Sequence, residues 1–188
     1  MNQQQAIIHK FRTVLPAVCK WIDETIEKHE PQAVLVGSLG FRRLPQHYSQ
    51  DLLDNTKVVI VPRVPFPPLR QLGLQELAEM EQMPFAGITY KDTLFLHQSH
   101  LSESLYFHEM VHIVQWERLG VANFLLAYGV GLVQFGYEKS PLEQTAYVLQ
   151  ENFERAVVPP DVIHVIHERT DAIWSQVAPL VQRSDDEN

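Results

Sequence analysis

The sequence predicts an α+β fold that is mainly helical and carries a small β-sheet near the middle of the chain. Apolar residues at helical spacing occupy residues 3–30, a β-branched run occupies Lys57–Val61, and a hairpin pattern occupies residues 87–96. The chain has 188 residues, of which 45% are hydrophobic and 20% are charged, which is enough apolar material for one packed core. We therefore expect a single domain over residues 1–188.

This expected domain has three parts: a helical N-terminal part (1–56), a core that bears the sequence motifs (57–155), and a C-terminal helix with a frayed tail (156–188). In the first part, the helix over residues 3–30 contains Pro16. Because proline lacks a backbone donor and clashes with the preceding turn, we expect Pro16 to kink this helix or divide it into two.

The motif-bearing core begins with the strand Lys57–Val61. Four prolines within residues 62–68 then impose an extended connection that excludes helix. A short helix is expected over residues 72–83. Two short strands, residues 88–90 and 93–96, flank a two-residue turn and complete the predicted hairpin.

Helices fill the rest of the chain. One is expected over residues 103–119, because Gly120 stands where a helix should end. A second begins at Ser140, which is followed by a proline and, three residues on, by a glutamate, the pattern of a capping box. The last helix is expected over residues 161–177, and residues 184–188 form a short acidic tail.

Composition and charge exclude several classes of function. The formal net charge is −8 and no basic cluster is present, which argues against nucleic-acid binding, since phosphate contacts need clustered lysine and arginine. The only cysteine, Cys19, cannot form an intrachain disulfide and suits a reducing compartment. Residues 1–6 are polar and lack the basic start and apolar core of a secretory signal. We therefore expect a cytoplasmic protein.

An uncharged stretch over residues 119–137 raises the question of membrane association. It contains Asn123, Gln134 and four glycines, and its apolar runs are short for a membrane span. We expect a buried or surface-docked helix here. An interfacial membrane segment over residues 124–135 is a less favoured alternative, because the stretch offers no basic face to lipid headgroups.

The motif with the clearest chemistry is the HExxH sequence His108-Glu109-Met110-Val111-His112, which lies within a predicted helix. Residues four apart on an α-helix are separated by only about 40° around its axis, so both imidazoles can bind one metal ion. Glu109 is rotated by about 100° from His108 and can accept a hydrogen bond from water at that ion. The surrounding residues are apolar, so the motif predicts a metal site, and two hydrogen-bonded core histidines are the alternative.

A third ligand must come from elsewhere in the chain. One known continuation of the motif places glycine and histidine at the third and sixth positions after the second histidine. It is excluded here, since Gln115 and Arg118 occupy those two positions. A carboxylate from a later helix is the remaining common solution, and Glu138 and Glu143 are the candidates. Glu143 can instead act as the reciprocal cap of Ser140, so residue chemistry by itself leaves both glutamates open.

Three stretches of the chain together resemble a known group of proteins. They are the hairpin of residues 87–96, the motif helix with its continuation Ile113-Val114-Gln115-Trp116, and the run Ser140-Pro141-Leu142-Glu143-Gln144-Thr145-Ala146. The group is that of small bacterial zincin-like proteins, metallopeptidases of the gluzincin type, and the resemblance covers roughly residues 57–155. It implies a zincin-like fold and a Zn²⁺ site formed by His108, His112 and Glu143, with Glu109 as the catalytic residue.

We therefore predict a zinc-dependent hydrolase, a metallopeptidase in which Glu109 activates water and the substrate is a peptide or polypeptide. If residues 93–96 form a strand edge beside the motif helix, an extended peptide can add there as a further strand. Tyr128, Tyr137 or Tyr147 can donate a hydrogen bond to the oxyanion of a tetrahedral intermediate. The alternative is a binding or assembly protein in which the metal ties helices together without turnover.

Overall fold

The computed structural model describes residues 3–182, which form five α-helices and four strands. The helices are α1 (Gln3–His29), α2 (Gln50–Asn55), α3 (Glu103–Phe135), α4 (Pro141–Glu154) and α5 (Val162–Gln182), and the strands are β1 (Val34–Leu35), β2 (Lys57–Val61), β3 (Gly87–Tyr90) and β4 (Thr93–His97). The predicted α+β class with a mainly helical content is confirmed. The tail expected at residues 184–188 lies outside the described residues.

The four strands form one mixed sheet in the order β1-β2-β4-β3. β3 and β4 are the predicted antiparallel hairpin, and Lys91 takes a positive φ of 55° in its two-residue turn. The long connection after β2 brings that strand parallel to β4, with Val59 opposite Phe95. β4 therefore lies inside the sheet, and the expectation that residues 93–96 form an exposed edge is wrong. β1 and β3 are the edge strands, and β3 contacts α3.

Two of the helices contain a proline. Pro16 lies inside α1 but does not divide it, because the apolar face that includes Phe11, Val18 and Ile22 is buried in the core along the helix. α5 likewise continues beyond the predicted end at residue 177 and includes Pro179. Burial of a helix face thus outweighs the loss of a backbone hydrogen bond at proline.

The short helix expected over residues 72–83 is a 3₁₀-helix over Gln75–Gln82. Residues 64–68 before it contain neither helix nor strand, as the prolines predict. The connection between β2 and β3 is consequently irregular, yet Phe66 and Leu69 point inward and contact the apolar core.

α3 consists of two helical halves that meet at Gly120, whose φ of 71° and ψ of 168° are not helical. The first half therefore ends at the predicted residue, and a second half follows it directly. Gly120 is required because a residue with a side chain rarely adopts this positive φ. The first half carries the HExxH motif, so the break separates the motif from the uncharged stretch that follows it.

The first half of α3 lies between two apolar clusters. Alternating residues of β4 contribute to both, with Phe95 in one cluster and Leu94 and Leu96 in the other, because successive strand residues face opposite sides of the sheet. Trp116 joins the cluster that contains α1, whereas Met110 joins the cluster that contains α4. The two apolar clusters therefore enclose the residues of the HExxH motif on several sides.

Within residues 3–182, α3 is the one helix long and apolar enough to cross a membrane by length and composition. In its most apolar stretch, 39% of the residues are buried inside the protein. The helix packs on α1, α4 and α5 and is interrupted at Gly120. Because a core helix satisfies the same length and composition criterion, α3 by itself is weak evidence for a membrane span.

The close packing of α1 on the second half of α3 can be tested at Gly129. A Cβ atom at Gly129 would lie 2.6 Å from the ring of Phe11. Overpacking costs about 1–3 kcal/mol, and the better helix propensity of alanine returns about 1 kcal/mol. We expect Gly129→Ala to lower the free energy of unfolding by about 1 kcal/mol, as measured by urea denaturation.

The matched control is Glu117→Ala, at an exposed position on the same helix, which should change the free energy of unfolding by less than about 0.5 kcal/mol. An increase in stability for Gly129→Ala would show that α1 does not pack closely at this position.

Candidate metal centre

α3 presents His108 and His112 on one face, a single turn apart. Each residue is only 4% exposed, and the two Nε2 atoms are 3.2 Å apart. Two imidazole nitrogens at this distance, shielded from water, need a proton or a cation between them. The i, i+4 spacing therefore produces the convergence that the sequence predicts.

α4 brings the third group. Oε2 of Glu143 lies 3.4 Å from Nε2 of His108 and 3.5 Å from Nε2 of His112, and Glu143 is 3% exposed. The start of α4 approaches α3 closely because Gly131 has no side chain, and a Cβ there would lie 2.5 Å from Oγ of Ser140. Ligand atoms of the three residues all lie within 4.8 Å of one another, so this buried group can bind a metal ion.

The structure brings Glu143, and not Glu138, to the imidazole pair. Glu138 is exposed in the loop before α4 and does not belong to the ligand group. The capping box predicted at Ser140 is wrong, because the Ser140 side chain makes no cap hydrogen bond and Glu143 points toward the histidines. α4 nevertheless begins at Pro141, as the sequence predicts.

One oxygen of Glu143 is left without a donor. Oε1 accepts a hydrogen bond of 2.7 Å from the hydroxyl of Tyr128, whereas Oε2 has no hydrogen-bond partner among the described residues. A buried carboxylate oxygen without a donor is costly, since it has lost its hydration. A cation held between Oε2 and the two imidazoles would offset that cost.

Two glutamines set the tautomers of the histidines. Nδ1 of His112 donates to Oε1 of Gln115 at 2.8 Å, and Nδ1 of His108 donates to Oε1 of Gln150 at 3.0 Å. Gln115 is fully buried, and its Nε2 donates to the carbonyl of Leu142. Because Nδ1 keeps its proton, Nε2 is the nitrogen of each imidazole that would present a lone pair to a metal ion at the centre.

Charges within the group stabilise one another. Burial opposes a charge on His112, but the adjacent carboxylate outweighs burial and raises the pKa of His112 to about 9. Burial likewise opposes ionisation of Glu143, but the two imidazoles outweigh it and hold the pKa of Glu143 well below its ordinary value. The carboxylate is therefore ionised and faces positive charge, and a bound metal ion would displace the proton to supply that charge.

Glu109 lies beside the ligand group rather than in it. It is 3% exposed, and its Oε2 accepts a hydrogen bond of 2.7 Å from the hydroxyl of Thr89 in β3. Burial raises the pKa of Glu109, although the neighbouring imidazoles oppose that shift. Its other oxygen, Oε1, packs against Gly87, where a Cβ atom would clash. Gly87 thus lets β3 approach the carboxylate closely.

The three sequence-predicted tyrosines occupy different positions. Tyr128 holds Glu143, the ring of Tyr147 lies 4.8 Å from the ring of His108, and Tyr137 lines a cavity beside the site. The hydroxyl of Tyr128 is therefore engaged by a ligand. Tyr137 has its pKa raised by burial, so its hydroxyl keeps its proton.

The polar group forms one end of a small cavity that is partly open to solvent. His108, Glu109, His112 and Glu143 line that end, and α1, the connection between β2 and β3, β3 itself and the second half of α3 supply the other walls. The ligand group and Glu109 therefore face the same space.

Several residues of the site were not expected from the sequence. Gln115 excluded one class of continuation and lies in a stretch that carries the resemblance, but no role in the site was predicted for it, although its position three residues after His112 on a helix places the two side chains together. Gly87 and Thr89 lie in the hairpin that carries the resemblance, yet nothing in the sequence predicts their contacts with Glu109, and Gln150 carries no sequence signal at all. Their contacts depend on how α4 and β3 pack on α3.

Comparison of the chain with family models, with curated proteins and with solved structures finds no match.

The choice between the two candidate glutamates gives a direct test of the ligand group. We expect Glu143→Gln to weaken metal binding by more than about 100-fold. This loss exceeds the one caused by substituting a residue that only hydrogen-bonds to a ligand. Glu138→Gln, the matched control, should keep the metal content of the wild-type protein. Metal content is measured by inductively coupled plasma mass spectrometry and affinity by competition with a chromophoric chelator. Equal affinities in the two variants would contradict the assignment of Glu143.

The role of Gln115 can be tested by the same titration. Gln115→Leu removes the acceptor for Nδ1 of His112 and should weaken metal binding by about 10–100-fold. Gln115→Glu keeps an acceptor for Nδ1 of His112 and should lose less metal affinity than Gln115→Leu. Gln176→Leu, at an exposed position of α5, is the control. Wild-type affinity in Gln115→Leu would mean that His112 does not need this partner.

Proposed function

We propose that this protein is a zinc-dependent hydrolase, a metallopeptidase with a zincin-like fold, in which His108, His112 and Glu143 hold Zn²⁺. Glu109 is proposed as the catalytic residue. The observation that carries the proposal is the buried Oε2 of Glu143, which receives no hydrogen bond from the part of the chain that the structure describes and faces two imidazole nitrogens beside a second buried carboxylate.

The donor set supports zinc. Two histidines and one glutamate are a common ligand set of catalytic zinc sites. Tetrahedral ligands at zinc bond lengths of about 2.0–2.1 Å lie about 3.3–3.4 Å from one another. The three separations in this protein, 3.2, 3.4 and 3.5 Å, are close to those values.

Zn²⁺ held by these residues would polarise a substrate carbonyl and lower the pKa of water. Glu109 then accepts a proton from the attacking water and returns it to the leaving nitrogen. Its raised pKa suits a group that must both take up and release a proton. Thr89 holds the carboxylate in position through its hydrogen bond to Oε2.

The surroundings of the ligand group favour turnover over a purely structural metal. Structural zinc sites have four protein ligands, whereas the described residues supply three here and a cavity adjoins them. Glu109 is also buried at that cavity without being a ligand. A metal ion that only holds helices together does not require such a carboxylate. Both features support a hydrolase over the assembly alternative.

The edge strand β3 supports a peptide substrate. The carbonyl of Ala86 accepts a hydrogen bond from the amide of His97, so in the antiparallel register Gly87 and Thr89 turn their backbone groups away from β4. The carbonyl of Thr89 already accepts a hydrogen bond from Nε1 of Trp116, so pairing with a substrate strand falls to Gly87. All four residues of β3 line the cavity that contains Glu109. An extended peptide paired with this edge would therefore run past the carboxylate.

The net charge of −8 supports a partner other than nucleic acid. We propose a peptide or polypeptide substrate in the cytoplasm, in keeping with the single cysteine. Fractionation of the expressing cells and flotation of the purified protein with liposomes test this location. Recovery with the membranes would contradict it.

The catalytic role of Glu109 is tested by Glu109→Gln in the zinc-loaded protein. We expect this variant to keep its zinc content and to lose peptide hydrolysis by about 10²–10⁴-fold, because an amide cannot accept the proton. Hydrolysis is followed with a mixture of peptides by mass spectrometry, and zinc content by plasma mass spectrometry.

The matched control is Glu117→Gln, an exposed glutamate of the same helix, which should leave hydrolysis at the wild-type rate. Full activity in Glu109→Gln would exclude the mechanism. A wild-type protein that holds zinc but cleaves no peptide would favour the assembly role instead.

A further inference from the structure

A chain of hydrogen bonds leads from the candidate metal centre to the surface along the contact between α3 and α4. Nδ1 of His108 donates to Oε1 of Gln150 at 3.0 Å, and Nε2 of Gln150 donates to Oγ of Ser104 at 3.0 Å. The hydroxyl of Ser104 in turn donates to Oε1 of Glu154 at 2.5 Å. We call Gln150, Ser104 and Glu154 the outer chain. It ends at solvent, because Glu154 is exposed whereas His108 is only 4% exposed.

Helical spacing places these side chains in line. Ser104 and His108 are four residues apart on α3, so they lie on one face of that helix, a single turn apart. Gln150 and Glu154 have the same spacing on α4. The later residue of α4 meets the earlier residue of α3, so the helices are antiparallel here and the two pairs face each other turn by turn. The outer chain is therefore built into the packing of two helices.

The carboxylate at its end gives the outer chain a single direction. A carboxylate only accepts hydrogen bonds, so the hydroxyl of Ser104 must donate its one proton to Glu154. Oγ of Ser104 then has only lone pairs left and accepts from the amide NH₂ of Gln150. That orientation turns the carbonyl oxygen of Gln150 toward His108, whose Nδ1 must carry the proton. Glu154 thus determines, through two intermediate side chains, which nitrogen of His108 is protonated.

The tautomer of His112 is fixed in another way. Nδ1 of His112 donates to Gln115, and Nε2 of Gln115 donates to the backbone carbonyl of Leu142. A backbone carbonyl is an acceptor under all conditions, so the orientation of Gln115 requires no charged side chain. For His108 the same role falls to a side-chain carboxylate at the surface. The two imidazoles therefore differ in what holds their protons on Nδ1.

We propose that Ser104 and Glu154 are positioning residues of the metal centre, an inference that rests on the metal site of the proposed function. They act through Gln150 to keep the proton of His108 on Nδ1, which leaves Nε2 free for a metal ion. Without the carboxylate, the hydroxyl of Ser104 and the amide of Gln150 are free to reverse, and a reversed amide donates to Nδ1. Nε2 then carries the proton, and a metal ion must displace it at a cost in affinity.

The zinc affinity of the full chain tests this role and is measured by competition with a chromophoric chelator. We expect Glu154→Gln and Ser104→Ala each to weaken zinc binding by about three- to tenfold, less than the loss of about 10–100-fold for a direct partner of a ligand. Ser104→Thr keeps the hydroxyl and should bind zinc within about twofold of the wild type. Glutamine has the shape of glutamate and alanine has the higher helix propensity, so neither variant should unfold the helices.

The matched control is Glu151→Gln, because Glu151 is exposed on the same helix and pairs with Arg155 instead. It should leave the zinc affinity unchanged. A double-mutant cycle shows whether Glu154 acts through Gln150. Once Gln150→Leu has removed the link, Glu154→Gln should weaken zinc binding no further, whereas an independent effect of Glu154 would add in full. Wild-type affinity in Glu154→Gln, or full additivity in the cycle, would overturn the proposal.

A second measurement needs neither zinc nor turnover. Long-range ¹H–¹⁵N NMR spectra of the metal-free protein report which imidazole nitrogen carries the proton. At one mildly alkaline pH, Nδ1 of His108 should resonate as a protonated nitrogen in the wild type and in Glu151→Gln. In Glu154→Gln its resonance should move toward the position of an unprotonated nitrogen, since both tautomers become accessible. An unchanged resonance in Glu154→Gln would refute the role of the outer chain.

The two measurements separate this inference from the proposed function. A tautomer of His108 that depends on Glu154, in a protein that neither holds zinc nor cleaves peptides, would contradict the proposed function and support the role of the outer chain. Zinc binding and peptide cleavage that Glu154→Gln leaves unchanged, together with an unchanged imidazole spectrum, would contradict the role of the outer chain and leave the hydrolase standing.

Discussion

The structure depends on one buried contact, in which Oε2 of Glu143 faces the Nε2 atoms of His108 and His112 at 3.4 and 3.5 Å. A carboxylate removed from water is stable only when positive charge or donors replace its hydration. Because Oε2 receives no hydrogen bond among the described residues, that compensation must be a proton shared with the imidazoles or a cation. The contact also joins α4 to α3, so the orientation of α4 and the electrostatics of the centre depend on each other.

Close backbone approach makes this contact possible. Gly131 lets the start of α4 reach α3, and Gly87 lets β3 reach Glu109. Gln115 then links the two helices, since it accepts from His112 and donates to the carbonyl of Leu142 next to Glu143. Three elements thus contribute separate functions to one site: α3 the imidazoles and Glu109, α4 the third ligand, and β3 the residues that hold the base.

Local patterns predicted much of the secondary structure. The strand at Lys57–Val61, the hairpin, the break at Gly120 and the start of α4 all follow from side-chain periodicity or from backbone restrictions that act within a few residues. The departures share another cause. Pro16 does not divide α1, which was one of its two expected effects, and residues 93–96 form an internal strand. The burial of a helix face and the pairing with β2 are contributions that only the assembled core supplies.

For the candidate site, the sequence by itself determined the imidazole pair and the adjacent Glu109, because residues one turn apart on a helix converge whatever surrounds them. Residue chemistry left Glu138 and Glu143 open, and only the resemblance to zincin-like proteins favoured Glu143. The tertiary structure brought Glu143 to the imidazoles, recruited Gln150 and Thr89, and enclosed the cavity. The hydrogen bonds of Thr89 and Gln150 join residues 20 and 42 positions apart along the chain, and they depend on the packing of α4 and β3 against α3 rather than on local geometry.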